Sequence, residues 1–377
     1  MSTSVDYTWL KQERAFKLRT LESGYAAREA VPVGEQLYDP QFGWIEPDGS
    51  IIFSDIGGQE EYGWDPAKGH GAILKLHRDD SIEYLARPSS MGTAMPLCPI
   101  RAPAYFGPWE GHMMLVGQSL PGRHGARNQH YVFKYAPGDD RMRVFAQIPH
   151  AGPINNGIPG AAVTGGFGPP GSPQEGKFFV QTMMNCVVYA VDAKGEIEPW
   201  ILLSPPHLQR PMMALDFQVA PPWWGDLAGE YILLGRSGQT YMDEVNHDLR
   251  WLHYHVDRNG KVDPTPLPPE KVPAPIEAVK APAEFGRFAG DLFWVDEGGV
   301  DLNHVTTFDT PLPYSAKVMR TDKSGKHHVF ADNLQGASTL IVFDGNRMLL
   351  SIMGKSYSTG EYHHPDGAIY EIKYTGG

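Results

Sequence analysis

Six short runs along the chain are apolar at nearly every position. They are IIFSD (51–55), MMLVG (113–117), KFFVQ (177–181), YILLG (231–235), LFWVD (292–296) and RMLLS (347–351). A strand with one wet face alternates apolar and polar residues. A continuous apolar run of this length, bounded by turn residues, reads as a strand buried on both faces. Each run is preceded by a shorter strand-like segment and a turn containing glycine. After each run comes a connection of variable length, and then an alternating segment such as HYVFKYA (130–136) or CVVYAVD (186–192). Next comes a turn and a further strand-like stretch. Lys194-Gly195 and Asn259-Gly260 suit these turns, because glycine accepts positive φ without steric cost.

This grammar recurs six times between residues 37 and 377, in units of roughly 45 to 65 residues. Four antiparallel strands per unit at that period predict an all-β chain arranged as a six-bladed β-propeller. Doubly buried second strands fit sheets sandwiched between neighbours. The phrase Ala-Pro-Ala-x-Phe-Gly occurs twice, at 102–107 and 281–286. It reads as part of the first two strands of the second and fifth units. The sixth unit lacks a clear fourth strand, and residues around Ala30 to Gln36 are expected to supply it. Residues 1–36 read as an N-terminal arm. Helix formers run from Trp9 to Arg28, with Trp9, Phe16, Leu18 and Leu21 loosely helix-spaced, so a short helix is expected there.

Composition agrees with this. Gly (42) and Pro (33) are abundant, which favours turns and short strands over long helices. With 41% hydrophobic and 20% charged residues the chain is globular. A net charge of -12 without a basic face excludes a nucleic-acid partner as the expected function. No run of 18 apolar residues occurs, so no membrane-spanning helix is expected. Two cysteines make no disulfide framework. The N-terminal residues lack the apolar segment of a secretory signal, so a soluble, cytoplasmic protein is expected.

In four-stranded units of this kind, the segments before each first strand and after each second strand share one face. The longest connections lie there, and such loops commonly carry binding. Those after the second strands hold His70, His124, His130, His247, His304, His363 and His364. Imidazoles gathered at one mouth suit a transition metal, although no HExxH or CxxC spacing is present. His304 stands out beside Asp301, Asn303 and Asp309, since a carboxylate orients a neighbouring imidazole. Segments before the first strands offer Asp39, Gln41, Arg101, Asn155, Asn156, Arg210, Glu277, Gln335 and Ser338. Oxygen donors around one axis suit a hard cation such as Ca²⁺. Arg101 and Arg210 suit a substrate carboxylate or phosphate. Tyr62, Trp64, Trp223, Trp224, Tyr241 and Tyr357 favour a small substrate with an apolar or ring portion.

The stretch GWIEPDGSIIFSDI (43–56), Asn155-Asn156-Gly157 followed by KFFVQTM (177–183), and Pro275-Ile276-Glu277 carry a family resemblance. They resemble the six-bladed propellers of the senescence-marker-protein, gluconolactonase and NHL-type group. Where that family has a metal-binding glutamate in its first unit, Asp39 and Gln41 lie nearest. Met212 and Met213 fall where it has an asparagine in the fourth. The resemblance implies one divalent cation, Ca²⁺ ahead of Zn or Fe, held by Asp39, Asn155, Asn156 and Glu277. It implies hydrolysis of a small ester or lactone, with Glu277 or His304 as base and Arg101 and Arg210 orienting the substrate. Three alternatives stay open. One is a lyase, isomerase or oxygenase with a histidine-held metal at the same mouth. The others are a quinone-dependent sugar dehydrogenase and a binding propeller without catalysis.

Overall fold

The computed structural model describes residues 16–33, 37–38, 40–55, 71–86, 93–119, 130–136, 138–149, 153–154, 158–159, 162–168, 170–182, 187–202, 212–219, 231–237, 250–257, 259–266, 279–296, 314, 316–334, 341–352 and 367–376. These form an all-β architecture built from antiparallel four-stranded sheets with consecutive strands adjacent.

Sheet 1 is Pro40–Ile45, Ile51–Asp55, Ala72–Leu76 and Ile82–Ala86. Sheet 2 is Thr93–Arg101, Met113–Ser119, His130–Tyr135 and Arg143–Gln147, and sheet 3 is Ala162–Phe167, Lys177–Thr182, Val187–Asp192 and Ile197–Leu202. Sheet 4 is Met212–Val219, Tyr231–Ser237, Arg250–Val256 and Val262–Pro266. Sheet 5 is Val279–Lys280, Leu292–Asp296, Ala316–Thr321 and His327–Leu334, with Arg19–Thr20 as a fifth strand on its edge. Sheet 6 takes Ile341–Asp344, Arg347–Ile352 and Ala368–Tyr374 from the C-terminal end of the chain. Its fourth strand, Tyr25–Val31, comes from the N-terminal end.

Side-chain alternation explains why the second strands are apolar throughout. Phe53 packs in the core between sheets 6 and 1, with Leu349 and Ile369, while Ile52 packs between sheets 1 and 2, with Leu115 and Phe133. Met114 and Val116 face the other way, toward Phe178 and Val180 of sheet 3. Met348 and Leu350 join Phe293 and Phe330 between sheets 5 and 6. Phe179 meets Tyr231 of sheet 4 edge-on. The first strands of sheets 1 and 2, 2 and 3, 3 and 4, 5 and 6, and 6 and 1 also lie beside one another. A Cβ on Gly43 of sheet 1 would sit 2.6 Å from the Pro99 carbonyl oxygen of sheet 2, so that approach requires glycine.

Two expectations about the N-terminal segment need correction. The expected helix does not reach Arg28, since Arg19–Thr20 and Tyr25–Val31 are strands. The strand completing sheet 6 starts at Tyr25, ahead of the expected 30–36, and pairs Tyr25 with Tyr374 through Val31 with Ile369. YAAREAV has good helix formers, but the ladder to 368–374 and burial of Tyr25, Ala30 and Val31 outweigh local propensity.

The repeated Ala-Pro-Ala-x-Phe-Gly phrase is not strand. In each copy it forms the connection between first and second strands, a short 3-10 element at Ala104–Trp109 and at Ala283–Phe288. Phe106 and Phe285 are fully buried, and Gly107 and Gly286 have φ of 67° and 74°. A cation from the third strand covers the aromatic ring of each element: Lys134 over Trp109 and Arg320 over Phe288. The copies differ behind the glycine. A Cβ on Gly107 would meet nothing within 4 Å, whereas one on Gly286 would lie 2.6 Å from the Tyr374 ring. Gly107→Ala is therefore expected to cost about 1–3 kcal/mol from the backbone alone, because φ 67° with ψ -127° is a conformation that disfavours any Cβ. Gly286→Ala should lose roughly 1–3 kcal/mol more through the clash. Urea unfolding of both variants checks this, and equal losses would contradict it.

Three of the turns between third and fourth strands share one design. Asp192, Asp257 and Asp322 each accept two backbone amides, from Lys194 and Glu196, Asn259 and Lys261, and Ser324 and Lys326, at 2.8–3.1 Å. The fourth residue is a glycine at positive φ: Gly195, Gly260 or Gly325. These are three-residue hairpin loops closed by a glycine bulge. In sheet 1 that position is Asp80, at φ 67°. Its carboxylate instead binds Arg347 at 2.8 Å and Arg28 at 2.7 Å. The same two arginines hold Glu371, and Arg78 and Arg347 reach Asp344. The cluster ties the N-terminal strand, sheet 6 and sheet 1 together.

Candidate functional site

Antiparallel meanders place their connections alternately at two ends. Turns from first to second and from third to fourth strands lie at one end. The second strands finish, and the first and third begin, at the other. At that second end the apolar runs become polar in their last one or two residues. Those residues are Ser54-Asp55, Gln118-Ser119, Gln181-Thr182, Arg236-Ser237 and Asp296, while in sheet 6 Ser351 is followed by a last, apolar Ile352. Register places Gln41 opposite Ser54, Thr93 opposite Ser119, Ala162 opposite Thr182, and Met213 opposite Arg236. Reading the runs as uniformly apolar misses these positions. The signal was present as a polar residue recurring at the end of each run.

Asp55 is only 4% exposed. Both of its carboxylate oxygens accept the Tyr38 backbone N–H, at 3.1 and 3.2 Å. Ser54 and Gln41 beside it are also buried. Leu37 bridges to Gly367, whose N–H donates to the Leu37 carbonyl at 2.7 Å. A Cβ on Gly367 would lie 2.6 Å from the Tyr38 oxygen, so the two backbones meet where only glycine fits. The chain leading into sheet 1 is thus gripped from both sides.

The structure moves Arg101. The sequence places it before a first strand, at the mouth. It is instead the last residue of Thr93–Arg101, at the opposite end of that strand, with its side chain 51% exposed and 3.6 Å from Glu46 of sheet 1. The misplacement came from Pro96 and Pro99. Prolines donate no ladder hydrogen bond, so TAMPLCPIR does not read as a strand. Register shifts between Ala94 and Leu97 and between Leu97 and Ile100 accommodate them. Gln41 lies within the first strand of sheet 1.

Asp39, Asn155, Asn156, Arg210, Glu277 and His304 lie outside the described residues. The strands bounding their connections do not. Tyr38 and Pro40 flank Asp39, and Pro153–Ile154 pairs with Ile158–Pro159 on either side of residues 155–157. Arg210 and Glu277 precede the first strands of sheets 4 and 5, and His304 follows the second strand of sheet 5. Each of these connections starts or finishes at the end of the sheets where the second strands finish. Among the described residues no group of three or more His, Cys, Asp or Glu side chains could hold a metal ion. No helix among them is long and apolar enough to cross a membrane.

Comparison with solved structures places this arrangement among β-propeller proteins. The chain resembles an α-L-arabinanase from Penicillium chrysogenum (TM-score 0.55, 12% identity, 93% of this chain and 99% of that one). It is similar to a protein of unknown function from Dyadobacter fermentans (TM-score 0.51, 11% identity, 94% and 100%). A gluconolactonase from Xanthomonas campestris aligns at TM-score 0.43 with 11% identity over 95% of each chain. No protein-family model and no curated protein sequence matches the chain. At these identities the likeness is one of fold.

Proposed function

We propose that the six sheets close into a six-bladed ring, and that its polar mouth is the active site of a metal-dependent hydrolase acting on a small ester or lactone. Packing of sheets 5, 6, 1, 2, 3 and 4 in succession, first strand beside first strand, supports the ring. The observation that carries the functional reading is the polar end common to the second strands. The connections bearing the candidate acids, amides and imidazoles lie between strand ends on that same side of the sheets. The resemblance in Asn155-Asn156-Gly157 and Pro275-Ile276-Glu277 supplies the reaction class.

Two carboxylates and two amides, from Asp39, Glu277, Asn155 and Asn156, are a hard-oxygen donor set that fits Ca²⁺. A cation held there would supply Lewis-acid polarisation of the substrate carbonyl. Glu277 or His304 accepts the proton of the attacking water. Arg210 orients the substrate. Arg101 is withdrawn from that role because it lies at the opposite strand end.

Hydrolysis of a panel of lactones and aryl esters tests this. The reading expects activity that chelation with EDTA removes and Ca²⁺ restores. Glu277→Gln is expected to lower kcat by about 10²–10⁴, with the melting temperature unchanged. A calcium-loaded protein inert toward the whole panel would remove the reading.

A further inference from the structure

We infer that Asp55 is a positioning residue for the proposed cation site, and the inference rests on that reading of the mouth. Asp55 is a carboxylate almost wholly removed from water at the polar end of a second strand. Burying a carboxylate is costly unless its oxygens are engaged. Here both oxygens receive the Tyr38 amide, one residue before Asp39. Pro40, one residue after Asp39, is register-paired with Asp55 itself. Asp55 therefore holds the backbone just before a proposed ligand through its side chain, and faces the residue just after it across the ladder. Gly367 closes the segment from behind, through Leu37. Outer partners of this kind hold a ligand in its binding geometry, and their loss typically costs 10–100-fold in metal affinity.

Calorimetric Ca²⁺ titration of the full chain, with exchange of the Tyr38 amide followed by mass spectrometry, tests the assignment. Asp55→Ala should weaken Ca²⁺ binding about 10–100-fold and speed Tyr38 exchange by roughly tenfold or more. Asp55→Asn keeps one oxygen that accepts the same amide, and should bind within about threefold of the parent. Gly367→Ala leaves the carboxylate intact but drives a methyl group against Tyr38. It should weaken Ca²⁺ binding as well, and it carries the test if Asp55→Ala does not fold. Unchanged affinity in Asp55→Ala, or in Gly367→Ala when Asp55→Ala does not fold, would overturn the inference. So would an Asp55→Asn variant as weak as Asp55→Ala, since charge rather than the backbone hydrogen bond would then be responsible. If the parent takes up no Ca²⁺, the cation reading fails and this role of Asp55 falls with it. Tyr38 exchange then shows separately whether Asp55 anchors the segment.

Discussion

A chain lacking residues 1–31 is expected to lose cooperative folding. The deletion removes the fourth strand of sheet 6 and the fifth strand of sheet 5. It strips the ladder from Ala368–Tyr374, a strand whose Ile369, Tyr370 and Ile372 are buried. Leu18, Tyr25, Ala30 and Val31 leave the core with it. Each larger apolar side chain is worth about 1.5–3 kcal/mol on burial. Tyr25 also donates its hydroxyl to the Phe285 carbonyl at 2.7 Å and stacks on Phe288. Together these losses are comparable to the whole net stability of a domain, about 5–15 kcal/mol. The exposed edge would also invite pairing between chains. Circular dichroism melting with light scattering should show aggregation and no cooperative transition. A cooperative melt within a few degrees of the full chain would contradict this role.

The second large effect is expected at Glu371. Its carboxylate is 2% exposed and lies between Arg28 at 2.9 Å and Arg347 at 2.5 Å. Burial alone would raise its pKa, but the Arg28 and Arg347 contacts outweigh burial and hold it below the ordinary 4.5. A carboxylate with a depressed folded-state pKa stabilises the fold above its unfolded value. That contribution is lost as pH falls through the folded value. The melting temperature should therefore fall as pH drops below about 4.5. Glu371→Ala should cost about 3–5 kcal/mol near neutral pH, because it leaves buried arginine charge under-compensated. Glu371→Gln, which cannot titrate, should flatten the acid limb of the pH profile. An acid limb equally steep in Glu371→Gln would place the proton uptake elsewhere.

The framework was legible in the sequence because its physics is local and periodic. The doubly buried second strands appear as unbroken apolar runs. The Asp-x-x-Gly turns at Asp192, Asp257 and Asp322 appear as hairpins because positive φ calls for glycine. What escaped depends on partners distant in sequence. YAAREAV reads as helix until 368–374 lies beside it. TAMPLCPIR reads as loop until bulges absorb Pro96 and Pro99, and Arg101 went astray with it. Asp80 stands where sibling turns use glycine, and its use appears only once Arg28 and Arg347 face it. Of the mouth, the chain order of the connections that carry the candidate residues was legible, since it follows from the order of the strands. The Asp55 contact with Tyr38 was not, because no periodicity records a side chain reaching across a turn to a backbone amide.

The central claim is that the polar mouth holds one hard cation beside Glu277. A crystal structure of the calcium-loaded protein, with anomalous data collected at long wavelength, tests it most directly. The account predicts one calcium peak bounded by oxygens of Asp39, Asn155, Asn156 and Glu277. A mouth without a peak and with Glu277 turned away from the axis would contradict it, as would a zinc or iron peak held by His304 and its neighbouring histidines.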